Sequence, residues 1–244
     1  MPRFFIDALL TDSVVIRGQD AHHISRVLRL PVGADIVIAD RNGQAFQAKI
    51  AAMSQGEVTV AVGNPIDQRR EPPVEVWLAQ GLPKGDKMDY IIQKAVEIGA
   101  AGVIPMAIDF STVKYDQTKK TAKVGRWQKI AEEAAKQCGR DRIPVVAPVQ
   151  SLGEILAQRM PETATVMLYE GKTGAGLKQT LAGCHSQSIL LLIGSEGGFS
   201  PAEVALCQDK GVQVATMGPR ILRTETAAVA ALAVVMYEKG DLGG

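Results

Sequence analysis

The stretch Leu192-Ile193-Gly194-Ser195-Glu196-Gly197-Gly198-Phe199-Ser200-Pro201-Ala202-Glu203 decides how this chain folds. It joins an apolar run, 188–193, to the start of a helix through a turn holding three glycines. Glycine tolerates positive φ and lets other groups approach the backbone closely, so such a turn can floor a ligand site. Ser200 suits the N-cap, Pro201 the first helical position, and Glu203 completes a capping box. A buried strand, a glycine turn and a firmly started helix describe a strand exit in a parallel sheet. The same residues also fit a plain strand–turn–helix connection with Glu196 in solvent, and spacing alone leaves both open.

A second junction follows at Met217-Gly218-Pro219-Arg220-Ile221-Leu222-Arg223-Thr224-Glu225-Thr226-Ala227. A strand ends, Gly218-Pro219 turns the chain, and an Ala- and Val-rich helix starts after Thr224, the expected N-cap. Residues 226–236 are apolar nearly all round, which places them inside the domain or in a subunit interface. Arg220, Arg223 and Glu225 flank the helix start, either as site groups or as surface ion pairs.

Outward from these junctions the pattern alternates. Strands are expected over 74–79, 101–107, 145–147, 165–169, 188–193 and 213–216. Helices are expected over 86–98, 124–138, 152–159, 201–210 and 225–238. Met88, Ile91, Ile92, Ala95 and Ile98 recur at helical spacing, as do Trp127, Ile130, Ala131, Ala134 and Cys138, with Gly139 as a C-terminal stop. Such alternation implies a mainly parallel sheet covered on both faces, with ligands outside the strand C-termini. The first 70 residues read differently. Segments 35–40 and 45–50 flank an Asn42-Gly43 hairpin turn, 58–62 alternates as a third strand, and a helix over 20–30 stops before Pro31. The charged Pro72-Pro73 stretch marks a boundary near residue 72, giving a β-rich domain 1–72 and an α/β domain 73–244.

The 244 residues are 46% hydrophobic but only 5% aromatic, so the core is aliphatic, and a formal charge of +1 excludes a generally basic nucleic-acid binder. RNA contact must then come from a local patch. Cys138, Cys184 and Cys207 are widely spaced, and His22, His23 and His185 offer no metal-ligand spacing around them, so no metal is expected and a reduced cytoplasmic protein is the simple reading. The N-terminus lacks a signal-peptide apolar run, and no apolar stretch is long enough to suggest a membrane span. Gly171-Lys172-Thr173 resembles the end of a P-loop but has Val166 where that motif needs glycine. Gly174-Ala175-Gly176 is no dinucleotide fingerprint, since Gln179 holds the third position, and a surface loop is expected there.

The two junctions together resemble the signature of the SPOUT superfamily of knotted RNA methyltransferases, and more narrowly that of the RsmE family. The likeness runs along the chain. It includes His23-Ile24-Ser25-Arg26-Val27-Leu28-Arg29, Lys84-Gly85-Asp86-Lys87-Met88, Gln93-Lys94-Ala95-Val96-Glu97-Ile98-Gly99, Trp127-Gln128-Lys129-Ile130, and Gln137-Cys138-Gly139-Arg140. Ser195 departs from the proline common in the family, a change that keeps the loop's backbone contacts. The resemblance implies a C-terminal α/β knot domain with a trefoil knot, a small PUA-like β-barrel at the N-terminus, and a homodimer. It also implies S-adenosylmethionine-dependent methylation of N3 of a uridine, position 1498, in 16S ribosomal RNA of the small subunit. The cofactor would lie among Leu168, Glu170, Gly194, Ser195, Glu196, Gly197, Gly198, Met217, Gly218, Ile221, Leu222, Arg223, Thr226 and Ala227. Glycine-loop amides and carbonyls suit adenine, with Ile221 and Leu222 as apolar walls.

Attack by N3 requires loss of an imide proton, so a base or an oxyanion stabiliser is needed. Arg220 or Arg223 is expected to stabilise charge on O2 or O4, or to grip a phosphate, and Glu196 or Glu225 to accept the proton or pair with an arginine. N3 lies on the pairing edge, so the target base must be unpaired. The expected RNA contacts are Arg3, His23, Arg26, Arg29, Lys84, Lys87, Lys94 and Arg140. A ribose 2′-O-methylating relative fits the N-terminal motifs less well. An RNA-binding module with a vestigial pocket has no need of three glycines in one turn, and a nucleotide hydrolase fails on Val166.

Overall fold

The computed structural model describes residues 1–67, 70–113, 115–171 and 175–243. Lys172, Thr173 and Gly174, in the P-loop-like segment, lie outside the described residues. The chain divides into two compact units: Met1–Glu71 with Ala135–Ile143, and Pro72–Ala134 with Pro144–Gly244.

In the first unit, β1 (Arg3–Phe5) and β2 (Ser13–Arg17) precede α1 (Gly18–His22), a π-helical turn (His23–Val27), β3 (Asp35–Ala39), β4 (Ala45–Ser54) and β5 (Glu57–Pro65). The sheet runs β1-β3-β4-β5-β2, with β1 parallel to β3 and the other pairs antiparallel. Register shifts at Phe46/Ala48 and Ile50/Ala52 bend it, as extra residues in one strand of a pair do. Ile16, Ile24, Ile36, Ile38, Ile50 and Val60 fill the concavity. The hairpin forms at Asn42-Gly43, where Asp40 Oδ1 accepts the Asn42 and Gln44 N–H groups and Gly43 takes φ 78°. The helix expected over 20–30 starts earlier and loosens at His23, whose carbonyl accepts from Leu28 N–H at 2.8 Å, and Arg29 turns left-handed at φ 49°.

Arg3 and Arg140, expected to touch RNA, are instead buried at 8% and 6% exposure. Arg3 pairs with Asp141 and donates to the Arg140 carbonyl at 2.9 Å, while Arg140 Nε reaches both Glu71 carboxylate oxygens at 3.0 and 3.1 Å. Buried guanidinium groups persist only when paired, and these bind the segment Ala135–Ile143 to the rest of the unit.

In the second unit, β6 (Glu75–Gly81), α2 (Lys87–Ile98), β7 (Gly102–Ala107) and α3 (Gln117–Cys138, ending in the first unit) lead to β8 (Val145–Val146) and β9 (Gln150–Ser151). Then come α4 (Leu152–Gln158), β10 (Ala164–Leu168), β11 (Ala175–Gly176), α5 (Leu177–Ala182), β12 (Ser188–Ile193), α6 (Pro201–Asp209), β13 (Gln213–Thr216) and α7 (Thr224–Lys239). The sheet order is β11-β13-β10-β12-β6-β7-β8, with β9 also on β7 and every pair parallel. One face packs Met106, Leu156, Met167, Leu192, Phe199 and Cys207; α7 lies against α2, β6 and β12.

Three local readings change. Helix α3 begins at Gln117, seven residues before the expected start, because Asp116 caps it with Oδ1 accepting Lys119 N–H at 2.8 Å. Thr224 is not the cap of α7 but its first residue; Arg223 is the cap and Thr224 is buried. Strand β11 falls in the segment read as a surface loop, and helix α5 in residues to which no element was assigned. The chain leaving β12 bypasses β10 to lay β13 on its far side, then returns through 217–223 to start α7, where Thr224 Oγ1 donates to Gly194 O at 2.6 Å. Among the described residues no helix is long and apolar enough to cross a membrane, and no group of His, Cys, Asp or Glu is disposed to hold a metal.

Candidate active site

The carboxyl ends of β10, β12 and β13 converge, and with the start of α7 they enclose a cavity of about 360 Å³. Gly194, Ser195, Glu196 and Gly198 form one side, Leu168 and Glu170 another, and Ile221, Leu222, Arg223 and Ala227 the third. A neighbouring hollow of about 80 Å³ shares Leu168, Glu170, Ile221, Leu222 and Ala227 and adds Met217, Gly218 and Arg220. Twelve of the fourteen residues nominated for a cofactor thus line this cleft. Gly197 and Thr226 do not: Gly197 faces the Phe110 Cβ, and Thr226 is solvent-exposed.

The glycine turn is held from every side. Gly198 adopts φ 69° and donates to Ser195 O at 3.0 Å, and a Cβ on Gly194 would sit 3.0 Å from Gly198 Cα. Only glycine closes so tight a turn. Ser195 Oγ donates to Phe110 O at 3.1 Å, which ties the turn to the segment after β7. The capping box forms as read: Glu203 Oε2 accepts Ser200 N–H at 2.8 Å, and Ser200 Oγ accepts Glu203 N–H at 3.2 Å. Glu203 Oε1 also accepts Asp109 N–H at 3.0 Å, so the box anchors two loops.

Beneath the turn lies Gln80, with 0% exposure at the end of β6. Its Nε2 donates to Thr224 Oγ1 at 2.8 Å and approaches Gly81 O at 2.9 Å and Gly194 O at 3.2 Å. Sequence reasoning passed over this residue. A lone amide closing an apolar strand was the available signal, since a buried amide must find partners.

The charges are arranged otherwise than expected. Glu196 and Glu225 pair with Lys87, at 2.9 and 3.4 Å, rather than with an arginine. Lys87, nominated for RNA, lines the cavity. Its hydrogen bond to Glu196 raises its pKa above the ordinary lysine value; desolvation pulls the other way, and Glu225 adds to the rise. For Glu196, partial burial pushes the carboxyl up, but Lys87 and the N–H groups of Glu196 and Lys84 outweigh it and hold the pKa below the ordinary carboxylate value. Arg220 and Arg223 are exposed and make no ion pair among the described residues. Elsewhere, Arg26, Arg29 and Lys84 are exposed, His23 lies edge-on to Phe4 at 6.4 Å, and Lys94 pairs with Glu97 at 2.8 Å on its own helix.

A cavity of this size suits a nucleoside-sized ligand, with backbone groups supplying recognition and aliphatic walls supplying burial. Residues 70–236 match the RNA methyltransferase domain family, and residues 16–63 the RNA methyltransferase PUA domain. The chain is 35% identical to ribosomal RNA small subunit methyltransferase E of Bacillus subtilis, covering 100% of this chain and 99% of that one. It is 30% identical to the protein of that name from Mycobacterium tuberculosis, covering 95% and 90%. The crystal structure of ribosomal RNA small subunit methyltransferase E from Neisseria gonorrhoeae bound to S-adenosyl methionine superposes with a TM-score of 0.89 at 28% identity, covering 99% of each chain. This chain belongs to the ribosomal RNA small subunit methyltransferase E family.

Proposed function

We propose that this protein methylates N3 of uridine 1498 in 16S ribosomal RNA, using S-adenosylmethionine. The observation that carries the reading is the cleft closed by three strand exits and the start of α7, in a fold shared with a relative solved with that cofactor. The residues fit the group: Gly194 and Gly198 let the turn close against itself and against Glu170, where a Cβ would meet Gly198 Cα at 3.0 Å and Glu170 Oε1 at 2.8 Å, and Leu168, Ile221 and Leu222 supply apolar walls. Bound there, the cofactor supplies an electrophilic methyl on a sulfonium.

The protein's own contribution is positioning and charge. Lys87 between Glu196 and Glu225 sets one ammonium against two carboxylates, a balance that favours a sulfonium nearby. Glu196, held below the ordinary carboxylate value, is a weak proton acceptor and acts chiefly by charge. Arg220 and Arg223, free to turn inward, stabilise negative charge on O2 or O4 as the N3 proton leaves to water.

The β-rich domain 1–72 presents Arg26 and Arg29 to the RNA, and domain 73–244 presents Lys84. The return of the chain through 217–223 supports a trefoil knot. Ile221, Tyr237 and Leu242, exposed at 86%, 68% and 42%, support a homodimer that covers them. The working compartment is the cytoplasm. Mass spectrometry of ribosomal RNA nucleosides from cells with and without the gene tests the reading. Loss of one 3-methyluridine is expected, and an unchanged level refutes it.

A further inference from the structure

Residues 117–131 of α3 read Q-T-K-K-T-A-K-V-G-R-W-Q-K-I-A, with Lys119, Lys120, Lys123, Arg126 and Lys129 and no acidic residue. None of the five lines the cavity. Lys119, Lys123 and Arg126, at i, i+4 and i+7, share one flank of the helix, with Lys129 turned to solvent and Trp127 and Ala131 to the core.

One end of this flank is tied to a wall of the cavity. Arg126 pairs with Asp89 and lies 3.9 Å from Asp86, and Trp127 Nε1 donates to Asp89 Oδ1 at 3.1 Å. Those aspartates sit in the turn of α2 that carries Lys87 into the cavity. At the other end, Lys123 Nζ stands 6.0 Å from the ring centre of Tyr115. Tyr115 continues from Phe110, whose carbonyl holds Ser195 and whose side chain is 47% exposed.

We propose that this flank of α3 binds the sugar–phosphate backbone of the RNA whose base enters the cavity. The proposal rests on the methyltransferase reading above and names a substrate surface for it. Three aspartates face the flank, and Glu132 and Glu133 follow Lys129 at i+3 and i+4 on the same helix. Asp86 and Asp89 are engaged by Arg126, and Asp116 is the helix cap, 3.8 Å from Lys119. Lys120 acts on Glu154. The ammoniums that reach a phosphate are therefore those of Lys119, Lys123 and Lys129. A protein partner fits less well. The outer face carries Thr118, Thr121, Ala122 and Gly125, all exposed, and offers no aromatic or aliphatic anchor, whereas small residues let a nucleic-acid backbone come close.

The test compares wild type with K119Q/K123Q/K129Q and with the charge-keeping triple of arginines at those positions. RNA fragments containing the target uridine are titrated between about 50 and 200 mM salt. Each lost phosphate contact removes about 0.7 from the slope of log affinity against log salt on single strands, so the glutamine triple should lose about 2. Its affinity deficit should then shrink roughly 20-fold across that range. Cofactor binding by calorimetry stays at the wild-type value, and the arginine triple keeps its RNA affinity. A glutamine triple within twofold of wild type, with an unchanged slope, overturns the proposal while wild-type methylation leaves the family reading intact. Equal losses in both triples overturn it too. Wild-type protein that binds no RNA and forms no 3-methyluridine would sink both.

Discussion

Replacing Gly81 with alanine isolates how much the glycine turn depends on the strand beneath it, and how much the proposed cofactor site depends on the turn. A Cβ on Gly81 would lie 2.5 Å from Ser195 N, 2.8 Å from Ile108 Cδ1 and 2.9 Å from Gly194 C. Two of these are backbone atoms, about 0.5–0.9 Å short of the 3.4 Å at which ordinary contact begins. The turn cannot drift freely, because Ser195 is bonded to Phe110 and the capping box at Ser200 fixes its exit. The overpacked site should cost about 1–3 kcal/mol of stability. Displacing Gly194 and Ser195 by most of an ångström should weaken cofactor binding roughly 10- to 100-fold, about 1.4–2.7 kcal/mol. Calorimetric titration with S-adenosylmethionine and thermal unfolding read the two effects. Gly153→Ala, where a Cβ meets nothing within 4 Å, is the control and should leave binding unchanged. If Gly81→Ala bound the cofactor as wild type does and melted at the same temperature, the loop would not be held as described.

Three further outcomes are expected. Lys87→Met should raise the pKa of Glu196, read by NMR titration of its carboxyl. Glu196 is held low, so its share of stability is present above its unfolded value near 4.5 and fades as pH falls through the folded value. Lys87 is held high, so its share is present below 10.5 and fades as pH rises past that. The melting-temperature gap between Lys87→Met and wild type should therefore be widest between those limits and close at either end; a gap flat from pH 3 to 8 would contradict the pairing. Gln80→Leu and Thr224→Val should each cost about 1–3 kcal/mol, and the double variant clearly less than their sum, since both break the same three-way bond. Additive unfolding energies would refute that network. Arg220→Ala or Arg223→Ala should slow single-turnover methylation at saturating cofactor about 10²–10³-fold, and an unchanged rate would remove that arginine from the chemistry.

The strand exits were legible because each level of local sequence agreed: apolar strand, glycine turn, Ser200–Glu203 cap. The same held for α2, whose Met88, Ile91, Ile92 and Ala95 all face the core. Short or one-sided elements escaped. Strand β2 buries only Ile16 among its five residues, and β1 is three residues long. The early turns of α3 were lost for the opposite reason, since their lysines carry no apolar period and Asp116 rather than periodicity starts the helix. What no local pattern could reveal was pairing at a distance. Arg3 finds Asp141 across 138 positions and Gln80 finds Thr224 across 144, so a basic residue read as an RNA contact proved structural and a plain amide proved central to the site. Lys87 escaped likewise, because its partners Glu196 and Glu225 belong to the far end of the chain.

The membership of Ala135–Ile143 in the first unit has a consequence for synthesis on the ribosome. Arg3 and Glu71 emerge early, yet Arg140 and Asp141, which neutralise them, are made about 70 residues after Glu71. At about 5–20 residues per second, the N-terminal sheet waits roughly 4–14 s with those charges unmatched. The cavity at the strand exits waits longer still, until the start of α7 has been translated. On the proposed function, a nascent chain is therefore catalytically silent until almost its whole length exists.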